Sequence, residues 1–176
     1  MALPKPLNAL NQATHLKRAP DEHKGNAGKV MLIGGAPGMA GALILAGNAC
    51  LHLGAGWTIL EMLDPASAHA NLDHPELMIR LADQHADAAL QNEKSDVIAI
   101  GPGLGQSELA HAWLTATLAT QKICLVIDAD ALNLIAGSAH LLSVLQKRNQ
   151  AFPGLTVLTP HPGEAAKLLK TTADAV

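Results

Sequence analysis

Six short strand-like runs punctuate this chain, and four of them end in turns built from glycine, proline, aspartate or histidine. The runs are Val30–Ile33, Trp57–Met62, Glu76–Leu81, Val97–Ile100, Ile123–Ile127 and Thr156–Leu158. Helical spacing fills the intervals at Gly38–Leu53, Asp83–Gln91, Glu108–Thr120, Ala131–Ile135 and Leu141–Lys147, and a further helix opens at Glu164–Leu169. Strands that alternate with helices, and that are apolar on both faces, predict an α/β fold with a mostly parallel sheet covered by helices. In such sheets ligands collect outside the carboxyl ends of the strands. Those ends are Gly34-Gly35, Gly101–Gly105, Asp128–Asp130 and Thr159–Glu164, and they should converge on one edge.

Composition narrows the partners. The 176 residues suit one domain with a real core. Charged residues make up 15%, well under the average of about 25%, so disorder is not expected and the apolar surplus points to interior surface or self-association as a homo-oligomer. With 2% aromatics and a net charge of −3, the chain has neither stacking platforms nor positive potential for nucleic acid. The longest apolar run, Gly38–Leu53, is too short and interrupted to span a membrane. Residues 1–22 contain three prolines and no apolar stretch, so they read as an arm and not as a signal peptide. Cys50 and Cys124 sit inside apolar runs and read as buried, reduced thiols of a cytoplasmic protein.

The strand ends carry the candidate chemistry. Gly34–Ala42 and Gly101–Gly105 are glycine-rich turns whose backbone amides could cradle an anionic ligand, or could simply pack tightly. Neither has the G-x-G-x-x-G spacing of a dinucleotide fingerprint. Asp128, Asp130 and Asn133 could bind hydroxyls, position a cation or act as a base; one of the two aspartates could instead cap the helix that follows. In Thr159-Pro160-His161-Pro162-Gly163-Glu164, two prolines hold His161 in an extended loop, suited to hydrogen bonding with a ligand. The nine histidines show no zinc spacing, and His69, His74, His85 and His111 read as surface residues. Gly47 in mid-helix implies close helix–sheet packing, and Ser107 an N-cap.

Taken in order, His23-Lys24-Gly25, Gly34-Gly35, Gly41-Ala42, Gly101–Gly105, Asp128–Asn133 and Thr159–Glu164 resemble the ADP/ATP-dependent NAD(P)H-hydrate dehydratases of the ribokinase-like superfamily, over about Pro20 to Leu169. The resemblance implies a three-layer αβα fold and the repair of hydrated nicotinamide cofactors. ADP or ATP would be the phosphoryl donor, with Mg²⁺. Phosphorylation of the hydrate hydroxyl would create the leaving group for dehydration. By position, Ala42, Gly105 and His161 match the family's hydrate-binding residues, with Asp130 and Asn133 lining the same pocket. The family's Gly-Gly-x-Gly-Asp turn, whose Asp is its expected base, does not occur in this sequence. The expectation is therefore that residues 23–176 form the N-terminal portion of the domain. The fold would be incomplete at its C-terminus, the base would lie beyond Val176, and the chain would be inactive alone. Two other readings fit the same residues: a vitamin or sugar kinase of the superfamily, and a non-catalytic ligand-binding remnant.

Overall fold

The computed structural model describes residues 23–68 and 74–175. The predicted arm of residues 1–22 and His69 lie outside the described residues.

The first strand, β1 (Lys29–Gly34), leads into α1 (Ala40–His52), β2 (Trp57–Met62) and β3 (Leu77–Leu81). Next come α2 (Ala86–Asn92), β4 (Val97–Ile100), α3 (Glu108–Ala119) and β5 (Cys124–Ile127). The described chain closes with α4 (Ala129–Gly137), α5 (Ala139–Ala151), β6 (Thr156–Leu158) and α6 (Pro162–Leu169). The six strands form one sheet in the order β3-β2-β1-β4-β5-β6, and every pairing is parallel. The predicted α/β sheet flanked by helices is thus observed. Helices predicted at Ala131–Ile135 and Leu141–Lys147 are each longer than expected, while Asp83–Gln91 starts later, because Asp83 accepts the His85 amide just ahead of the helix.

Side-chain alternation divides the core in two. Met31, Ile33, Ile98, Ile100, Leu125 and Ile127 face α3, α4 and α5, where Trp113, Leu114, Leu132 and Ile135 are fully or almost fully buried. Trp113 keeps its indole N–H satisfied by donating to the Asp83 carbonyl at 2.9 Å. On the other face Leu32, Leu60 and Met62 pack beneath α1 through Leu43. Gly47 allows that approach: a Cβ there would lie 2.9 Å from Leu60 Cδ2 and 3.0 Å from Leu77 Cδ2, so the mid-helix glycine has the packing cause its sequence position implied. Ser107 caps α3 as expected, accepting from the Ala110 amide at 3.1 Å.

Three expectations about burial are corrected. Cys124 is exposed and Cys50 only half-buried, both as free thiols. Cys124 opens the β5 strand with its side chain on the sheet face opposite Leu125 and Ile127. The edge strand β6 is not apolar-and-buried on both sides, since Val157 is 53% exposed. Strands β2 and β3 also carry charge inside the sheet, with Glu61 buried and Arg80 beside it in register.

Candidate functional site

The strand order creates a crevice by connectivity alone. The chain leaves β1 toward β2 on one side and leaves β4 toward β5 on the other, so the loops after the neighbouring strands β1 and β4 diverge. This topological switch point is where parallel α/β sheets bind ligands. Both glycine-rich turns sit there.

Their role differs from a simple amide cradle. The Gly35 amide donates to the Pro102 carbonyl at 3.1 Å, and the Ala36 amide to the Gly103 carbonyl at 2.7 Å. A Cβ at Gly34 would stand 2.1 Å from the Pro102 oxygen, and one at Gly101 would stand 1.8 Å from the Asp128 oxygen. These glycines let three loops touch through their backbones. Tight packing, the alternative left open by the sequence, therefore accounts for much of both motifs. Open surface begins beside them: α1 has Met39 at its N-cap and no side chain capping its first turn, which leaves leading amides and the positive end of the helix dipole facing the crevice. Ala42 lies on this turn, exposed, and packs toward Gly103.

Neither Asp128 nor Asp130 caps α4 through its side chain, the alternative the sequence left open for one of them. Asp128 occupies the N-cap position of α4 but makes no side-chain cap bond; its Oδ1 accepts from Thr159 Oγ1 at 2.8 Å and ties the ends of β5 and β6 together. Asp130 lies inside the helix, and its Oδ2 accepts the Gly105 amide at 2.9 Å. Ala129, between them, adopts a left-handed φ of 46°, an unfavourable conformation for alanine that marks a constrained turn. Asn133, one turn along α4, donates to the Ala129 carbonyl at 3.2 Å and accepts from Lys167 Nζ at 2.7 Å.

His161 is more tightly built in than an extended loop would require. It is the N-cap of α6, with Pro162 at the first helical position. Its Nδ1 accepts from the Gly163 amide at 3.1 Å, and buried Glu164 reaches back to accept the His161 amide at 3.0 Å, completing a capping box. Acceptance at Nδ1 assigns the neutral ring's proton to Nε2, which lies 3.3 Å from Glu164 Oε1. The side chain is 69% exposed, so a fixed imidazole edge faces solvent at the carboxyl end of the sheet.

The structure therefore brings Ala42, Gly105, Asp130 and Asn133 into one continuous line. His161 joins it through α6 and the Lys167–Asn133 bond, without a direct bond to Gly105 or Asp130. Lys167 was missed from the sequence, since it looked like an ordinary helix residue, and the Thr159 bond to Asp128 was not foreseen within its segment. Among the described residues no group of three or more His, Cys, Asp or Glu side chains could hold a metal ion. His85 is exposed and pairs with Asp83, and His111 is also exposed, as expected; His74 is half-buried, with its ring edge-on to His52.

Comparison with known proteins agrees with this geometry. The family model described as NAD(P)H-hydrate dehydratase matches residues 30–175. The ADP-dependent (S)-NAD(P)H-hydrate dehydratase of Lactiplantibacillus plantarum is 41% identical over 162 residues, covering 88% of this chain and 53% of that protein. A ribokinase-like superfamily protein from Enterococcus faecalis superposes with a TM-score of 0.71 at 32% identity, covering 90% of this chain and 54% of its own. The ADP/ATP-dependent NAD(P)H-hydrate dehydratase of Bacillus subtilis, co-crystallised with ATP and Mg²⁺, gives 0.70 at 26% identity, covering 90% and 53%. The chain spans about half the length of these proteins, and 30% of the longer bifunctional NAD(P)H-hydrate repair enzymes that it also matches. With its sheet order, its stitched glycine turns and this extended match, the chain belongs to the NAD(P)H-hydrate dehydratase family and has the ribokinase-like α/β fold.

Proposed function

We propose that residues 23–176 form the substrate-binding part of an ADP- or ATP-dependent NAD(P)H-hydrate dehydratase, acting in the repair of nicotinamide cofactors, with residues 1–22 as an arm. The observation that carries this reading is the line Ala42–Gly105–Asp130 at the switch point, with the fixed imidazole of His161 beside it.

The chemistry required is the removal of a hydroxyl from the hydrated nicotinamide ring. Hydroxide is a poor leaving group; transfer of a nucleotide's terminal phosphoryl group to the hydroxyl oxygen makes phosphate the leaving group. Loss of phosphate and of a proton from the adjacent carbon restores the ring double bond. Positioning and charge stabilisation dominate such transfers. This chain's residues supply positioning: Asp130 holds the Gly105 turn, the first turn of α1 offers amides, and His161 presents an exposed imidazole edge whose Nε2 a ligand would share with Glu164. No group of three or more metal-ligating side chains gathers among the described residues, and the sequence has no Gly-Gly-x-Gly-Asp turn. No catalytic step is assigned to a base in this chain, and it binds the hydrate without turning it over.

Self-association is part of the same reading. It is supported by Leu45 on α1 and Leu53 just after it, which are 71% and 70% exposed. Two free cysteines suit a reducing, cytoplasmic setting, and no helix among the described residues is long and apolar enough to cross a membrane.

Calorimetric titration with NADH hydrate tests the proposal. Saturable binding is expected, weakened about tenfold by His161→Ala, the scale of one lost hydrogen bond left without a partner. No return of the reduced-nicotinamide absorbance should follow on adding ADP or ATP to this chain. Absence of binding would overturn the substrate assignment, and recovery of absorbance would overturn the reading of this chain as binding the hydrate without turnover.

A further inference from the structure

A second polar recess adjoins the site. Gln106, Asn133, Ala136, Gly137 and Lys167 line a crevice of about 480 Å³ between the loop before α3, the outer face of α4 and α6. It continues directly from the candidate site, because Gln106 follows Gly105 in the chain and Asn133 lies one turn from Asp130 on α4. Lys167 on its wall has no carboxylate partner among the described residues; its ammonium is held at 2.7 Å by the amide oxygen of Asn133. The carboxylate nearest in sequence, Glu164, is occupied by the His161 amide and ring. An oriented, uncompensated ammonium flanked by two side-chain amides is a recognition set for a phosphate-type anion.

We propose that this crevice is an anion subsite for a pyrophosphate group, with Lys167 as its cation, held in place by the Asn133 amide oxygen, and Gln106 as its amide donor. On the functional reading above, on which the choice of ligand rests, the group is the pyrophosphate of the dinucleotide substrate. The nicotinamide end then lies toward Gly105 and Ala42 while the phosphates extend along α4. Lys167 is a binding residue of this subsite and takes no part in bond making.

Calorimetry at low ionic strength, where surface charge is least screened, tests this with inorganic pyrophosphate, NADH, ADP and reduced nicotinamide riboside, which lacks phosphate. Lys167→Met should weaken pyrophosphate and NADH about tenfold, the scale of one charge-assisted hydrogen bond, and leave the riboside unchanged. Lys167→Arg should restore most of the affinity. Lys147→Met, which removes the same charge from an exposed position on α5, should have no effect. The proposal fails if pyrophosphate does not bind the native chain, if Lys167→Met binds it equally well, or if Lys147→Met weakens it as much. Lys167-dependent binding of ADP but not NADH would assign the anion to a nucleotide instead and overturn the dinucleotide placement. Lys167-dependent pyrophosphate binding without any binding of NADH or the riboside would refute the functional reading while the anion subsite stands.

Discussion

Replacing Glu61 by glutamine should make this chain more stable at neutral and alkaline pH, by an amount that vanishes in acid. Glu61 sits in β2, in register with Arg80 of β3, and is almost fully buried. Burial pushes its carboxyl from an ordinary value of 4.5 up to about 7, with Arg80 pulling the other way and Glu93 and Asp83 adding to the rise. Arg80 is a weak remedy because it is already engaged: its Nη1 lies 2.5 Å from Glu93 Oε2 but 4.0 Å from Glu61 Oε1. Between pH 4.5 and 7 the folded chain therefore holds a proton that the unfolded chain has released. Stability falls as pH rises through that window, and the loss is complete above about 7. At about 1.4 kcal/mol for each tenfold change in proton affinity, the penalty is about 3 kcal/mol. Urea unfolding of native chain and Glu61→Gln, at steps from pH 4.5 to 8, isolates this group, since histidines and other carboxylates titrate in both. The difference in unfolding free energy should grow by about 3 kcal/mol across the series. Parallel curves would refute the reasoning, because they would mean that Arg80 keeps Glu61 ionised in the folded chain.

Other substitutions separate backbone contact from side-chain contact. Gly101→Ala places a Cβ 1.8 Å from a backbone oxygen and should cost more than about 3 kcal/mol in urea unfolding. By contrast, Gly47→Ala meets only flexible leucine ends and gains helix propensity, so its effect should stay within about 1 kcal/mol. Buried Arg148 donates to the carbonyls of Thr120 and Ile123 and to Thr156 Oγ1; Arg148→Met leaves those acceptors unpaired and should cost about 3 kcal/mol by the same measurement. A thiol reagent followed by mass spectrometry should label exposed Cys124 at least about tenfold faster than Cys50, whose thiol burial pushes upward in pKa.

Much of this molecule was legible in residue order. Each strand was marked by a β-branched or apolar run and each strand end by its punctuation, because hydrogen bonding and chain reversal are local demands. Ser107 could be recognised as a cap for the same reason: its bond reaches only to Ala110. Burial of Cys124 could not be judged, since the apolar run around it says nothing about which half of a sheet face lacks a covering helix. The roles of Asp128 and Asp130 were equally hidden. Asp128 stands at the N-cap of α4 and Asp130 in its first turn, yet their partners, Thr159 and Gly105, are 31 and 25 residues away.

Sequence by itself determined the alternation of strands and helices, the four unusual strand ends and the motif order that marks the family, since these follow from local spacing and residue chemistry. Tertiary structure alone decided that the glycines of β1 and β4 serve chiefly to bring backbones together, and that Lys167 reaches Asn133 beside the site. Both depend on contacts between segments far apart in the chain, which sheet order brings within a few ångströms and which no local pattern encodes.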